Sequence, residues 1–457
     1  MKRTWAIAAL PILAGAIGFL VWWGWLFPPK PAQVSGVGMD AIEAALALDP
    51  QLPLSAAETD VVLVVVCTLR SNRLEPYGYS YPTSPFLDAL SNHGVQFNQH
   101  YSQTSWTRPS MGSLLTGRYP RGLQLDSPED GGVTRLALDD EDILLGEVFS
   151  DAGRQVIGAV NNPNVREQFG FAQGFDVYHA PTTSWTKRKI KLDDNTLVSQ
   201  VLNAVDETPD DQRIYIRMTP VGPHTTRQLT RRDRTLLQDA DHPEYDAAVR
   251  LLDARLARLF VAIKERRPNT LFVVVADHGE GLSQPRHHHF GHGNYLFQTT
   301  IHTPWLIHHP SLTPQQVNGL TMNIDVMPTI LDMLGMTAPA IVDGRSQAAV
   351  VRGETSHTGH TYAFSETMYN RSNKGTIISD EFQLIRNRKN DRERIFARSD
   401  WRAREELSDD HPTEKSTLST ALDAWEAIQS ASVTDAPVEA EADEETSEML
   451  RAMGYVE

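Results

Sequence analysis

Two stretches of the chain are apolar at every position rather than at alternate ones, residues 61–66 and 272–276. Strands that are covered on both faces of a parallel sheet show this pattern. Shorter strand patterns occur at residues 155–160 and 213–218, and the apolar positions of residues 247–263 recur with a helical period. This alternation of strands and helices predicts a doubly wound α/β sheet, in which ligands bind at the carboxyl ends of the strands.

The pattern changes after residue 350. Four short strands are predicted between residues 362 and 400, and a helix follows at residues 418–429. We therefore divide the body of the chain into a main domain, residues 59–350, and a C-terminal subdomain, residues 351–432.

The N-terminus has the pattern of a membrane anchor. Lys2 and Arg3 precede an uncharged, mostly apolar run that ends at Phe27 and exceeds the ~20 residues that a transmembrane helix needs. We predict a single-pass signal anchor at residues 1–27 and a linker at residues 28–58, with the bulk of the chain on the periplasmic or extracellular side. A cleaved signal peptide is the alternative.

Charge and cysteine content narrow the range of functions. The formal net charge is −16, which argues against a nucleic-acid partner, because phosphate backbones need clustered Lys and Arg. Part of the negative charge falls in an acidic tail, residues 433–457, which we expect to be solvated. Cys67 is the only cysteine, so no intramolecular disulfide can form.

Residues 105–120, SWTRPSMGSLLTGRYP, place a hydroxyl where a helix starts. Pro109 suits a first helical turn, and Met111 and Leu114 give the helix an apolar face. Thr107 is therefore predicted at a helix N-terminus, where free N–H groups and the helix dipole favour an alkoxide and an anionic ligand. A simple capping role is the alternative for this threonine.

Possible metal ligands stand at the ends of two predicted strands. Cys67 follows residues 61–66, and Asp277 and His278 follow residues 272–276. The two strand ends converge on one crevice if both strands belong to the same sheet. Thiolate, carboxylate and imidazole favour zinc over manganese, calcium or magnesium. The alternative is that Cys67 is a small buried residue with a packing role, in a site that binds no metal.

The segment 105–120 resembles the nucleophile signature of the sulfatases, C/S-x-P-S-R followed by LLTG. Thr107 takes the Cys/Ser position and Met111 the arginine position. VVLVVVCTLR, FVVVADHGEGL, HHHFGHG, DVMPTILDMLGM and DGRS resemble further family segments in the same order. The chain is thus identified as a divergent member of the sulfatase branch of the alkaline phosphatase superfamily, from about residue 58 onward. This resemblance implies an alkaline-phosphatase-like sheet flanked by helices and a small antiparallel C-terminal sheet.

The resemblance also implies roles for individual residues. Asp277 and His278 match metal ligands, and His292 matches a histidine that contacts the anionic group or the leaving oxygen. His224, in Gly-Pro-His, takes the place of a family histidine. Asn162 and Arg108 are our candidates for substrate binding: Asn162 lies where the family often has an asparagine, and Arg108 could replace the missing arginine. A simple turn is the alternative for Asn162.

Two departures from the family pattern set the expected chemistry. Sulfatases convert the Cys or Ser to formylglycine, and threonine cannot give that aldehyde; relatives such as lipoteichoic acid synthase use a threonine nucleophile. We therefore expect Thr107 to attack sulfate or phosphate esters of a small molecule, glycan or lipid headgroup, with His292 or His224 protonating the leaving group. Cys67 replaces the first acidic metal ligand. The alternative is a degenerate homologue that binds an anionic ligand or serves as a membrane-tethered scaffold.

Overall fold

The structure is a computed structural model that describes residues 37–126, 136–180, 193–224, 229–282, 290–433 and 437–452. The predicted anchor, residues 1–27, lies outside these residues. Within the described part of the chain, no helix combines the length and the apolar character that crossing a membrane requires.

The main domain alternates strands with helices. Its strands are β1 Asp60–Val66, β2 Val95–Tyr101, β3 Leu136–Ala137, β4 Gln155–Val160, β5 Val177–His179, β6 Ile214–Thr219, β7 Thr270–Ala276, β8 Gly281–Leu282, β9 Phe290–Gly291, β10 Trp305–His308 and β11 Gln315–Met322. Its helices are α1 Met39–Ala45, α2 Pro85–Asn92, α3 Thr107–Thr116, α4 Leu145–Asp151, α5 Asp194–Glu207, α6 Arg231–Leu236, α7 Pro243–Arg266, α8 Gln298–Ile301, α9 Val326–Met333 and α10 Ala348–Val351.

Eight of these strands form the central sheet, in the order β11-β2-β10-β7-β1-β6-β4-β5. All neighbouring strands are parallel except β10, which runs antiparallel to β2 and β7. Both faces are covered, because alternate residues of β1 enter different cores: Val61, Leu63 and Val65 join one cluster, and Val62, Val64 and Val66 the other. The predicted α/β sheet is confirmed.

The two strands that precede the candidate metal ligands are direct neighbours. β1 pairs with β7 in parallel register, and Val66 lies opposite Ala276 at the last pair. The residues that follow, Cys67 and Asp277, therefore leave the same edge of the sheet side by side. This register brings together two segments that lie 210 positions apart in the sequence.

The C-terminal subdomain is a four-stranded antiparallel sheet covered by one long helix. Its elements are β12 Ala363–Thr367, β13 Lys374–Ile378, β14 Phe382–Asn387, β15 Arg392–Ala397 and α11 Pro412–Ala431. Trp425 of α11 stacks on Phe364 of β12 with 5.0 Å between ring centroids. The predicted small antiparallel sheet is confirmed.

Two segments outside the two predicted domains pack against the main domain. In the predicted linker, Ile42 and Leu46 are buried in the core that covers one face of the sheet. In the acidic tail, β16 Val438–Glu439 pairs with β3, and α12 Glu444–Ala452 buries Met449 and Leu450. The solvated tail was a wrong prediction over residues 437–452, because a few apolar side chains on one helix face outweigh the acidic composition of the other.

Candidate active site

Thr107 is the first residue of α3, and Trp106 is its N-cap. The side chain is fully buried, and its Oγ1 lies 3.3 Å from His278 Nε2, 3.2 Å from Asn162 Nδ2 and 3.7 Å from Cys67 Sγ. The hydroxyl thus meets three of the predicted site residues at the positive end of a helix.

The described residues contain one group of side chains with the composition and spacing of a metal site, Cys67, Asp277 and His278. Their donor atoms all lie within 4.8 Å of one another, and the three residues are fully buried. Asp277 Oδ1 accepts from the N–H groups of Thr68 and His278 at 3.0 and 2.7 Å. Asp277 Oδ2 has no hydrogen-bond partner among the described residues. A buried carboxylate oxygen left open beside a thiol and an imidazole fits a divalent metal.

His278 presents the nitrogen that a metal needs. Its Nδ1 lies 2.7 Å from the carbonyl oxygen of Gly279, which can only accept, so Nδ1 carries the proton and Nε2 its lone pair. Burial, reinforced by His292, lowers the pKa of His278 well below its usual range and keeps the ring neutral. Burial raises the pKa of Asp277 to about 6, although two backbone hydrogen bonds oppose that shift.

The backbone directly after Cys67 is unusual. Thr68 has φ of 58°, in the left-handed region that β-branched residues rarely adopt. This conformation aims the Thr68 N–H at Asp277 Oδ1. Strain of this kind concentrates at functional sites, where the surrounding structure enforces it.

A second histidine group lies beside the first. The His292 ring stands 4.5 Å from His278 and 5.1 Å from His224, measured between centroids. Glu280 Oε2 lies 3.2 Å from His292 Nδ1. Burial raises the pKa of Glu280, but His292, His224 and His278 together outweigh it, so the pKa is lowered and the carboxylate is ionised. Burial and His292 lower the pKa of His224 to about 4.

Comparison with known proteins decides the family. The Sulfatase family profile matches residues 59–336, which is more than half of the chain. This chain belongs to the sulfatase family. A second profile, N-sulphoglucosamine sulphohydrolase, C-terminal, matches residues 286–416. The family places the chain among the hydrolases of sulfuric and phosphoric esters, as the sequence motifs predicted.

Individual sulfatase relatives are distant. The arylsulfatase of Clostridium perfringens is 19% identical over 417 residues, covering 71% of this chain and 85% of the relative. The extracellular sulfatase SULF-1 homolog of Drosophila melanogaster is 34% identical over 101 residues, which cover 21% of this chain and only 9% of the fly protein.

Solved structures with a similar fold include hydrolases of this kind. The phosphonate monoester hydrolase SpPMH from Silicibacter pomeroyi has a TM-score of 0.65 at 19% identity, covering 81% of this chain and 96% of that chain. A structure in complex with its substrate D-glucosamine-2-N,6-O-disulfate has a TM-score of 0.67 at 14% identity, covering 82% and 98%. At these identities the similarity establishes the fold alone.

Asn162 and Arg108, the two predicted substrate-binding residues of this sulfatase-family chain, have different surroundings. The Asn162 amide lies in the site, within 3.1 Å of Cys67 Sγ. The Arg108 guanidinium stacks over the ring of Phe169 at 3.6 Å and donates to carbonyl oxygens of Asn164 and Leu136. These contacts give Arg108 a structural role, and its contact with substrate stays a prediction. Met111, at the family's arginine position, is buried in the main core.

The sequence motifs did not lead us to several residues that shape the site. Glu280 orients His292, Thr68 orients Asp277, and Asn323 binds the end of β7. Glu280 could have been suspected, since it is an acidic residue two positions after His278 in the same segment. Asn323 carries no local signal, because its contacts lie across the fold.

Proposed function

We propose that this chain hydrolyses or transfers sulfate or phosphate esters through the hydroxyl of Thr107, without formylglycine. One observation carries the proposal: Thr107 Oγ1 lies within 3.7 Å of Asn162, His278 and Cys67 at the N-terminus of α3. Nucleophilic hydroxyls need such a combination of hydrogen-bond donors and positive potential.

Cys67, Asp277 and His278 would hold a divalent metal, with zinc favoured by the thiol. When bound, such an ion lowers the pKa of a neighbouring hydroxyl and neutralises the oxygens of the transferred group. Asn162 supplies a fixed donor to Thr107 Oγ1, which stabilises negative charge on that oxygen. Asn162 would therefore act on the same developing charge that a metal held by these three residues would neutralise.

The reaction proceeds in two steps. Thr107 Oγ1, after losing its proton to solvent, attacks phosphorus or sulfur, the bond to the ester oxygen breaks, and His292 gives a proton to the departing alcohol. Water, or an acceptor alcohol in a transferase, then attacks the Thr107 ester and gives its proton to His292. This second attack releases the sulfate, the phosphate or the new ester and leaves Thr107 Oγ1 deprotonated for the next cycle.

The surroundings of the two histidines favour His292 as the acid. His292 Nδ1 pairs with the ionised Glu280, which holds the ring in place. His224 has a pKa of about 4 because of burial, so it carries no proton to donate near neutral pH. We therefore assign His224 to contact with the leaving group.

Several solved neighbours suggest the kind of substrate. One holds D-glucosamine-2-N,6-O-disulfate, another is a 2-O GAG sulfatase, and a third is a phosphonate monoester hydrolase. We propose a sulfated or phosphorylated small molecule, glycan or lipid headgroup for this chain. Membrane anchoring through residues 1–27, with the domain on the periplasmic or extracellular side, belongs to the proposal on the basis of the sequence.

Activity screening with defined esters tests the proposal. The purified full-length chain is assayed for bound metal and for turnover of aryl phosphate, phosphodiester, phosphonate and sulfate esters. We expect metal near one equivalent, turnover of at least one ester, and a mass increase on the peptide that contains Thr107 after rapid quenching. Thr107→Ala abolishes turnover, whereas Thr107→Ser keeps part of it. Absence of both bound metal and turnover in the unaltered chain would refute the proposal that the chain is an enzyme.

A second function, binding without turnover, has one observation in its favour. Burial raises the pKa of Cys67 well above its usual value, and Asp277 adds to the shift. A thiol must lose its proton before it can bind a metal, so this site resists metal more than one with a carboxylate at that position. Binding of inorganic sulfate or phosphate without turnover, together with activity gained only in Cys67→Asp, would select this reading.

A further inference from the structure

Ser110 lies one turn after Thr107 in α3, and its hydroxyl leaves the helix to contact the metal-ligand strand. It donates a short hydrogen bond to the backbone carbonyl of Asp277. Ser102 Oγ lies 3.0 Å from the same hydroxyl. Ser110 is fully buried, so this hydrogen bond is shielded from water.

Asn323 completes the connection from the opposite side. Its Nδ2 lies 3.2 Å from the Ala276 carbonyl, 3.1 Å from the Asp277 carbonyl and 3.2 Å from Ser110 Oγ. Two amide hydrogens are therefore shared among three acceptors. These acceptors belong to the end of β7 and to α3, and Asn323 is itself fully buried.

His100 contacts the oxygen of the Asn323 amide. His100 Nε2 lies 2.7 Å from Asn323 Oδ1, and His100 Nδ1 lies 3.1 Å from the hydroxyl of Thr321. Burial lowers the pKa of His100 to about 3, so the ring is neutral and has one N–H. The carbonyls of Ala276 and Asp277 can only accept, so they face the amide nitrogen, and the His100 Nε2–H donates to Oδ1 on the other side.

Ser110 also belongs to the signature segment of the sulfatases, although Thr107 cannot take part in formylglycine chemistry. Its contacts supply a different reason for a hydroxyl at this position. Asp277 directly follows β7, and within the described part of the chain no backbone N–H donates to its carbonyl oxygen. A buried carbonyl needs a hydrogen-bond donor. Ser110 and Asn323 are the two donors.

We infer that Ser110 and Asn323 are positioning residues, which hold the N-terminus of α3 and the Asp277–His278 end of β7 at a fixed separation. The inference rests on the proposed roles of Thr107, Asp277 and His278 in the reaction. The hydrogen bonds tie the nucleophile to the metal ligands through the backbone rather than through direct contact. Outer contacts of this kind tune metal affinity and activity in other metalloproteins.

The first test is independent of catalysis and uses the single thiol as a reporter. Cys67 is fully buried beside Thr107, so a disulfide reagent labels it only when the crevice opens. Removing a hydrogen bond that closes the crevice should raise the labelling rate of the metal-free, full-length chain about tenfold in Ser110→Ala and Asn323→Asp. Urea unfolding of each variant separates local opening from global loss of stability.

Ser113→Ala is the matched control. Ser113 lies in the same helix and is equally buried, but its hydroxyl has no hydrogen-bond partner among the described residues. Its labelling rate should stay within about twofold of the unaltered chain. Equal labelling rates for Ser110→Ala and Ser113→Ala would overturn the inference, and Asn323→Asp keeps the test open if Ser110→Ala does not fold.

The second test addresses the metal and the reaction separately. Ser110→Ala should weaken Co²⁺ binding about tenfold and lower kcat by a similar factor with KM unchanged, whereas Ser113→Ala should do neither. If the unaltered chain binds Co²⁺ but turns over no ester, the proposed function fails while the affinities still test the positioning role. A loss confined to KM would overturn the inference, because a positioning residue acts on the reacting groups and not on substrate binding.

Discussion

The amide nitrogen of Asn162 donates to the thiol sulfur of Cys67 over 3.1 Å. Its other hydrogen faces Thr107 Oγ1 at 3.2 Å, and its Oδ1 accepts from the N–H of Asn164 at 2.9 Å. This last contact leaves the amide a single orientation. One fixed donor therefore serves both the proposed nucleophile and the thiol at position 67.

Changing Cys67 to aspartate should make the chain depend on metal for its stability. Cys67→Asp buries a second carboxylate beside Asp277, and two such groups cannot both ionise without a cation between them. We expect the free energy of unfolding in EDTA to fall by about 1–3 kcal/mol and to recover with Mn²⁺. Thermal unfolding with and without Mn²⁺ measures this, with Cys67→Ser as the uncharged control. A response to Mn²⁺ equal to that of the unaltered chain would contradict it.

Removing the Asn162 donors should reduce turnover while the local fold survives. Asn162→Asp keeps an oxygen that can cap the 3-10 turn Pro163–Val165, but it removes both hydrogens that face Thr107 and Cys67. We expect kcat/KM on an aryl ester to fall about 100-fold. Asn162→Ser, which also caps but buries no charge and cannot donate across the crevice, should lower turnover alike with little change in the thermal midpoint. Unchanged turnover in both variants would remove Asn162 from the mechanism.

Substitutions of His292 and His224 should differ in how strongly their effect on the rate depends on the leaving group. If His292 protonates the departing oxygen, His292→Gln should slow alkyl esters by about 100- to 1000-fold. p-Nitrophenyl esters, whose leaving group needs little help, should be slowed far less. His224→Gln should slow both kinds of ester by the same factor. Steady-state rates of both variants on a matched pair of alkyl and aryl esters measure this difference. If His224→Gln, and not His292→Gln, slowed the alkyl ester selectively, His224 would be the acid.

Acid should destabilise the fold through buried neutral histidines such as His308. Burial, with Lys264 adding to the effect, lowers the pKa of His308 to about 3, whereas in the unfolded chain it titrates near 6.5. Between these values only the unfolded chain takes up the proton, so this contribution to stability is complete above about pH 6.5 and is lost as the pH falls.

His308→Phe removes that titration. The slope of unfolding free energy against pH, measured by urea unfolding at pH 7, 6 and 5, should be shallower in the variant by up to about 1.4 kcal/mol per pH unit. His357→Gln, at an exposed position, is the control. Parallel slopes for the unaltered chain and His308→Phe would show that His308 does not stay neutral in the fold.

The C-terminal helix α12 should contribute to stability despite its acidic composition. Leu450 is 1% exposed and joins the main core, whereas Ile428 of α11 is 66% exposed. Leu450→Ala should lower the free energy of unfolding by about 2–4 kcal/mol. Ile428→Ala should change it by less than about 0.5 kcal/mol. Chemical denaturation of both variants measures the difference, and equal values would mean that α12 is not docked in solution.

Much of the fold follows from local patterns. The apolar run at residues 61–66 became β1, and the helical period at residues 247–263 became the centre of α7. The four short strands predicted between residues 362 and 400 became β12 to β15. These predictions succeeded because the burial of each element is repeated along its own sequence.

The acidic tail shows where local patterns fail. Residues 437–452 are rich in Glu and Asp, yet Thr446 accepts a hydrogen bond from Arg166 at 2.9 Å and Leu450 enters the core. The docking of this tail depends on a surface formed by residues more than 250 positions earlier in the chain. The composition of the tail carries no information about that surface. Ile42 and Leu46, in the predicted linker, are likewise buried against elements far along the chain.

The sequence by itself determined the family and the strand ends that carry Cys67, Asp277 and His278, because each depends on residue identity and order. The tertiary structure decided which groups touch. Only parallel pairing of β1 with β7 places Cys67 beside Asp277, and only the packing of α3 against that edge brings Thr107 within reach of Asn162 and His278. Distances between residues far apart in the chain are set by packing, which local sequence does not encode.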